Sequence, residues 1–202
     1  MFRGEFIMDR LKKQISFIVE IDKLKSIYRQ NYLADGSRKE NDAEHSWHMA
    51  VMAFLLAEYA DEQVDLLKVI KMLLVHDLVE IDAGDTYCYD EKAGLDKRER
   101  EEKCAERIFK MLPEDQCREM YELWEEFEQM ETPEAKYAAA LDRLQPVLLN
   151  YYSEGKSWKE HGIRIDQVLG RNGRIKDSSS RLWEFVENLI NDAAEKGYLK
   201  KF

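Results

Sequence analysis

The sequence predicts an all-α protein, and three observations support that prediction. The chain has only three prolines and nine glycines in 202 residues, so few residues interrupt a long helix. Hydrophobic residues make up 45% of the chain and charged residues 36%, a balance typical of helices with one buried face and one solvated face. Helical hydrophobic spacing recurs along the chain, and no segment shows a persuasive strand pattern. We therefore expect one domain over residues 1–202, built from about seven or eight helices.

The helices predicted in the first part of the chain cover residues 5–29, 42–60, 65–82 and 96–112. The first should bury an apolar stripe formed by Phe6, Leu11, Ile15, Ile18, Ile21, Leu24 and Ile27. Asn41 or Asp42 can cap the second helix, which follows a polar loop. Gly84 is a plausible stop for the third, and residues 85–96 are predicted to be a loop.

The helices predicted in the second part cover residues 114–130, 133–154, 165–171 and 178–196. Thr132 followed by Pro133 is a clear start signal, because threonine caps a helix and proline suits its first turn. Pro146 lies inside that helix and is expected to kink it. Residues 153–162 are predicted to be a loop, and the C-terminal helices of residues 165–202 carry no motif.

Charge and cysteine content restrict the classes of partner. The formal net charge is −10, which repels nucleic acid phosphates and anionic membranes, so an anionic ligand would need a locally positive site. No apolar run approaches the roughly 20 residues of a membrane span. Cys88, Cys104 and Cys117 form no CxxC pair, and the charged N-terminus does not resemble a signal peptide. We therefore expect a cytoplasmic protein with reduced thiols and without nucleic-acid or membrane partners.

The segment VIKMLLVHDLVEIDAGD places polar residues on an apolar helix. His76, Asp77 and Glu80 lie beside aliphatic residues, where burying charge is costly unless the groups are paired or bind a metal. On a helix, spacings of three and four residues let all three side chains point into one cavity. An HD pair alone is a weak signal, and a surface pair is its usual meaning.

Two further segments contain candidate metal ligands. His45 lies near the start of the apolar helix predicted over 42–60, where a histidine can also be an ordinary polar residue near the core. Asp142 lies among alanines and leucines, and a structural salt bridge with Arg143 is the simpler alternative. Together, two imidazoles and two carboxylates form a mixed nitrogen and oxygen set that suits manganese, cobalt, zinc, nickel or iron. A helical bundle can gather such ligands from facing helices.

The order of these motifs resembles the HD-domain superfamily of metal-dependent phosphohydrolases, and more closely its 5'-deoxyribonucleotidase subgroup. The AEHSW motif of that subgroup is found at residues 43–47. Its HDxxE motif is found at 76–80, and the GD pair that follows is found at 84–85. Its final aspartate matches Asp142 in the sequence LDR. The resemblance covers roughly residues 15–150.

The resemblance implies a role for each matching residue. The residues that match the ligands of one divalent metal ion are His45, His76, Asp77 and Asp142. Glu80 matches an acidic residue with a catalytic role, which it would share with the ligand Asp77. Asp85 matches a residue that contacts the nucleotide sugar, and Arg29 matches an arginine that orients the phosphate. Gln30 stands where the nucleotidases have a tryptophan.

Two other residues have competing interpretations. Arg38 is a second candidate for binding phosphate, and its alternative is a salt bridge with Glu40 or Glu44. Trp47 follows the first histidine and could line the pocket, but a core position is the more common meaning of such a residue.

The function that these matches imply is hydrolysis of nucleoside 5'-monophosphates, with 5'-deoxynucleotides as the expected substrates, by a metal-activated water. A second hypothesis keeps the metal and changes the substrate to a nucleoside triphosphate, a cyclic nucleotide or a guanosine polyphosphate. A third is a non-catalytic, metal-binding helical module. Members of the family are commonly homodimers, so a homodimer is expected here.

Overall fold

The computed structural model of this protein describes residues 2–89 and 96–201, with side chains described from residue 7 onward. The α-helices are α1 Phe2–Ile21, α2 Asp42–Leu55, α3 Leu66–Val75, α4 Glu80–Ala83, α5 Lys97–Phe109, α6 Glu114–Gln129, α7 Pro133–Tyr152, α8 Lys156–His161, α9 Ile165–Asn172 and α10 Ser180–Glu195. The strands are β1 Tyr28–Tyr32 and β2 Lys39–Asn41. The predicted all-α class is confirmed. Most of the loop predicted at 85–96, namely residues 90–95, lies outside the described residues, as does the side chain of Phe6.

Helix α7 runs through the centre of the protein. The Thr132 side chain caps it by accepting a hydrogen bond from the Ala135 amide, and Pro133 occupies its first position, as the sequence predicts. Tyr137 and Leu141 are fully buried, and α7 packs against α2, α3, α6, α9 and α10. The helix continues past Pro146 to Tyr152. A residue on α7 is therefore held by neighbours on several sides.

Helix α1 departs from the predicted orientation. Leu11, Ile15 and Ile18 were expected inside, but they are 48%, 51% and 57% exposed. Phe17 is buried instead. Ion pairing between Arg10 and Asp115 at 2.7 Å, together with a Gln14–Gln116 hydrogen bond, fixes the polar side of α1 against α6. Hydrophobic spacing predicts that a stripe exists, but it does not specify which side of the helix meets the protein.

The predicted first helix also ends too late. Helix α1 stops at Ile21, a 3-10 turn follows over Asp22–Ser26, and residues 28–32 form β1 instead of helix and loop. Strand β1 pairs antiparallel with β2, with Tyr28 opposite Asn41 and Tyr32 opposite Lys39. The expectation of no strand was therefore wrong for this hairpin. Such short strands depend on pairing with a partner, which periodicity within one segment does not reveal.

Two further differences concern helix continuity. The single helix predicted over 65–82 is α3, a 3-10 turn at His76–Val79, and then α4. Residues 156–161, predicted as loop, form α8 between Gly155 and Gly162, which both have positive φ angles. These breaks raise the number of helices above the predicted seven or eight.

Candidate metal centre

The four predicted metal ligands lie together, although His45 and Asp142 are 97 residues apart in sequence. Helix α2 carries His45, the 3-10 turn after α3 carries His76 and Asp77, and α7 carries Asp142. The distances between their ligand atoms are 3.1 Å for His45 Nε2–Asp142 Oδ1, 3.0 Å for His76 Nε2–Asp77 Oδ1, 3.8 Å for His76 Nε2–Asp142 Oδ1 and 3.9 Å for His45 Nε2–Asp77 Oδ2. Ligands about 2.1 Å from one ion lie about 3–3.5 Å apart, so this spacing suits a single divalent ion.

Hydrogen bonds orient both imidazoles. Nδ1 of His76 donates to the Leu73 carbonyl at 3.0 Å, which directs the lone pair of Nε2 toward the acidic ligands. His76 Nε2 is buried and has no hydrogen-bond partner among the described residues. A buried nitrogen without a partner is costly, and a metal ion bound there would satisfy it.

Hydrogen bonds that connect Glu40, Gln145 and His45 determine which ring nitrogen of His45 carries the proton. Nε2 of Gln145 donates to Glu40 Oε1 at 2.6 Å, so its oxygen faces His45. Nδ1 of His45 then donates to Gln145 Oε1 at 3.0 Å, and Nε2 is left without a proton. A lone pair therefore faces the Asp142 carboxylate, an arrangement that repels unless a cation lies between them. A cation bound between His45 Nε2 and Asp142 would remove this repulsion, so the donor atoms favour a positive ion.

The imidazoles and the carboxylate also alter one another's ionisation. Burial and the nearby Arg29 lower the pKa of His45, which favours the neutral form that binds metal. Burial opposes ionisation of Asp142, but the adjoining imidazoles of His45 and His76 hold the pKa of that carboxyl well below its usual range. Asp142 is therefore a carboxylate, the form that a metal ligand needs.

A cluster of three carboxyl groups lies beside the candidate metal ligands and includes one of them, Asp77. Oxygens of Asp42, Asp77 and Glu80 lie within 4.8 Å of one another, and all three residues are buried. The Arg29 guanidinium contacts two of these carboxylates, with Nη1 3.3 Å from Asp42 and 3.0 Å from Asp77. Burial opposes the charge on Arg29, yet Asp77, Asp85 and Glu80 raise its pKa well above the usual value. Arg29 thus neutralises part of this cluster from within the site.

Glu80 combines burial with an unused oxygen. It is 4% exposed, and its Oε2 has no hydrogen-bond partner among the described residues. Burial first, and then the charges of Asp77 and Asp42, raise the pKa of Glu80 well above its usual value. Burial and the charge of Asp77 also raise the pKa of Asp42 to about 7. Burial among like charges favours the protonated form of Glu80 more than in an exposed glutamate, which suits a residue that takes or gives a proton.

One cavity opens beside the ligands. It is lined by Arg29, Gln30, Asn31, His76, Asp77, Glu80, Asp85, Thr86, Tyr87, Cys88, Tyr89, Lys97, Glu101, Phe127, Glu128, Met130, Ala139, Asp142, Arg143, Pro146, Val147, Asn150, Trp158, Arg171 and Asn172. The lining contains acidic residues and candidate metal ligands together with aromatic rings and side-chain amides. This mixture can receive a small polar molecule with a ring.

The remaining predicted site residues occupy different places. Asp85 lines the cavity, and its Oδ1 lies 4.0 Å from Arg29. Arg38 is on the surface, where it forms two hydrogen bonds with Glu44, and it does not line the cavity. Its role in phosphate binding stays a prediction. Trp47 is 65% exposed and is neither in the core nor in the cavity.

Three residues of the site escaped the sequence argument. Gln145 and Glu40 orient His45, and Asp42 joins Asp77 and Glu80. Asp42 drew attention only as a possible helix cap, but Asn41 caps α2 through a capping box. Gln145 lies three residues after Asp142 on the same helix, so helical spacing alone could have suggested it.

Comparisons with known proteins agree with this geometry. The sequence model of the family described as HD domain matches residues 21–183. The human 5'-deoxynucleotidase HDDC2 is 33% identical over 135 residues, which cover 66% of this chain. The aligned part spans 65% of the human protein, slightly less than two thirds of its length. The Saccharomyces cerevisiae 5'-deoxynucleotidase YGK1 is 26% identical over 184 residues, which cover 89% of this chain and 82% of the yeast protein.

A solved structure is also similar. The crystal structure of a predicted metal-dependent phosphohydrolase from Magnetospirillum magnetotacticum MS-1 superposes with a TM-score of 0.92. The two sequences are 55% identical, and the match covers 96% of this chain and 97% of the other. The two chains therefore share a fold over almost their whole length.

Replacing Gln145 tests how the site depends on the orientation of His45. We expect Gln145→Leu to lower the affinity for Mn²⁺ or Co²⁺ about 10- to 100-fold, because His45 loses the acceptor that fixes its proton. Competition with a chelator of known affinity measures the change. Gln129→Leu, at an exposed glutamine of α6, is the control. Equal metal affinities for the two variants would show that Gln145 has no such role.

Proposed function

The chain belongs to the HD domain family, and on that basis we propose that it is a metal-dependent phosphohydrolase that cleaves nucleoside 5'-monophosphates, with 5'-deoxynucleotides as its substrates. The observation that carries the proposal is the meeting of His45, His76, Asp77 and Asp142, of which the last three line a cavity. The names of the human and yeast relatives support the choice of substrate.

The ligand set fits a divalent ion, because the ligand atoms of His45, His76 and Asp142 lie within 4.8 Å of one another and an oxygen of Asp77 lies 3.0 Å from His76 Nε2. When bound, such an ion supplies Lewis acidity toward a phosphoryl oxygen and makes water at the site more acidic. Manganese, cobalt, zinc, nickel and iron all accept this mixed set, so availability would select among them.

Glu80 acts as the proton-transfer residue in this proposal. Its buried carboxyl has one oxygen without a partner and a pKa raised by burial, which suits it to exchange a proton with the reacting groups. It would accept the proton of the attacking water or give one to the departing sugar oxygen. Asp85 also lines the cavity, and in this proposal it contacts the sugar. Arg29 holds Asp77 and Asp42 in place and offsets their charge.

The cellular setting is a further part of the proposal. Cys88, Cys104 and Cys117 are all free thiols, as expected for a protein of the reducing cytoplasm. Within the described residues, no helix combines the length and the apolar character needed to cross a membrane.

We also propose that two copies of the chain associate through α1. Met8, Leu11, Ile15 and Ile18 are about half exposed and follow the alternating three- and four-residue spacing of a helix seam. Phe17 faces the protein from the far side of α1, and Arg10 and Gln14 pair with α6, so this stripe faces outward. A second α1 offers the same stripe, which makes the contact self-complementary.

The substrate prediction is tested by phosphate release. Metal-stripped protein would receive Mn²⁺, Co²⁺, Zn²⁺ or Mg²⁺, then deoxy- and ribonucleoside 5'-monophosphates, with 3'-monophosphates and triphosphates as controls. We expect metal-dependent release from 5'-deoxynucleotides. For Glu80→Gln we expect bound metal and a kcat reduced about 10²- to 10⁴-fold, because proton transfer is lost. Asp82→Asn, at an exposed carboxylate of α4, should keep its activity.

Other outcomes of this assay would contradict specific parts of the proposal. Wild-type turnover of Glu80→Gln would remove Glu80 from the mechanism. Release only from triphosphates, or none from any monophosphate with metal bound, would overturn the substrate assignment.

The oligomeric state is tested by multi-angle light scattering. We expect a dimer for the wild-type protein and a monomer for Ile15→Glu. Burying an unpaired carboxylate in the apolar contact between two α1 helices would cost more free energy than the contact supplies. Leu67→Glu, at an exposed leucine of α3, should remain dimeric. A monomeric wild type, or a dimer that survives Ile15→Glu, would contradict the proposed contact.

A further inference from the structure

The cationic side chains that line the cavity beside the metal centre do not all form ion pairs with acidic residues. Among the described residues, four cationic side chains line it: Arg29, Lys97, Arg143 and Arg171. Arg29 contacts Asp42 and Asp77. Lys97 lies 3.3 Å from Glu101. Arg143 and Arg171 have no salt bridge within the described part of the chain.

Arg143 is held in place without a counter-ion. Its Nη1 donates to the Ala139 carbonyl at 2.9 Å, and its Nη2 lies 3.5 Å from the Met130 sulfur. Its Nε is buried and has no partner among the described residues. A carbonyl and a thioether carry no net charge, so neither neutralises the guanidinium. Asp142 and Asp177 attract it only from beyond ion-pair distance.

Arg171 adds a second unpaired charge from another element. It is exposed on α9, and its charge acts on Tyr87, Cys88 and Tyr89 across the cavity as well as on Arg143. The two arginines therefore repel each other. An anion bound between the two guanidinium groups would attract both of them and offset their mutual repulsion.

We propose that Arg143 and Arg171 form an anion subsite that holds a phosphoryl group of the nucleotide bound in the cavity. Arginine suits this task, because its planar guanidinium offers paired donors to phosphate oxygens. The inference rests on the proposed function and deepens it. It assigns phosphate recognition to two residues other than Arg29, whose Nη1 already contacts Asp42 and Asp77. The phosphoryl group is either the one hydrolysed or a second one on the same nucleotide.

The test uses metal-loaded, full-length Arg143→Lys and Arg171→Gln. Arg171 is exposed, so its replacement is expected to leave the fold intact, which thermal melting checks. Arg174→Gln is the matched control, because Arg174 is a neighbouring exposed arginine that does not line the cavity. Calorimetry measures binding of inorganic phosphate. Kinetics give the KM of a deoxynucleoside 5'-monophosphate and of its 3',5'-bisphosphate.

The pattern of losses identifies the source of the phosphoryl group. Roughly tenfold weaker phosphate binding and a similar rise in the monophosphate KM would assign the subsite to the hydrolysed group. A rise confined to the bisphosphate KM would assign it to a second phosphate. Values within twofold of Arg174→Gln for every ligand would overturn the proposal. Absence of wild-type turnover would instead overturn the proposed function, while phosphate binding would still decide the subsite.

Discussion

Buried carboxylates crowd the centre of this protein, and the Arg29 guanidinium lies among them. Asp42, Asp77 and Glu80 have oxygens within 4.8 Å of one another, and Asp142 faces the lone pair of His45 from the opposite side. Burial of so much like charge is costly. Burial and like charge raise the pKa of Asp42 to about 7 and raise that of Glu80 well above its usual value, which favours their protonated forms. A divalent ion would supply the missing positive charge, which links metal binding to proton release.

The fold keeps this unfavourable cluster in place by surrounding it with rigid helices. Helix α7 is packed on several sides and carries both Asp142 and Gln145. The change from α3 to a 3-10 turn occurs at His76, where the Leu73 carbonyl accepts from its ring. The His45 ring is held by Gln145, which Glu40 holds in turn. Each imidazole is thus oriented by a partner that would not itself bind the ion, a property that sharpens metal affinity.

Some parts of this structure can be predicted from the sequence, and others cannot. Helix starts with strong local chemistry, such as Thr132 and Pro133, follow from the chain alone, because a cap is a local interaction. The gathering of His45 and Asp142 could be inferred because polar residues on apolar faces need partners. The outward rotation of α1 could not be inferred, since it depends on contacts of Arg10 with Asp115, which is far along the chain. The role of Glu40 was equally hidden, because it depends on contacts with Gln145 and His45 that only the folded chain brings together.

The central claim is that one divalent ion is held by His45, His76, Asp77 and Asp142. Anomalous X-ray diffraction from crystals grown with Mn²⁺ or Co²⁺ tests it most directly, because the signal locates the ion independently of activity. The account predicts one strong peak at about 2.0–2.2 Å from two imidazole nitrogens and from oxygens of Asp77 and Asp142. A peak bound by other residues, or no peak at these four with metal present in excess, would contradict it.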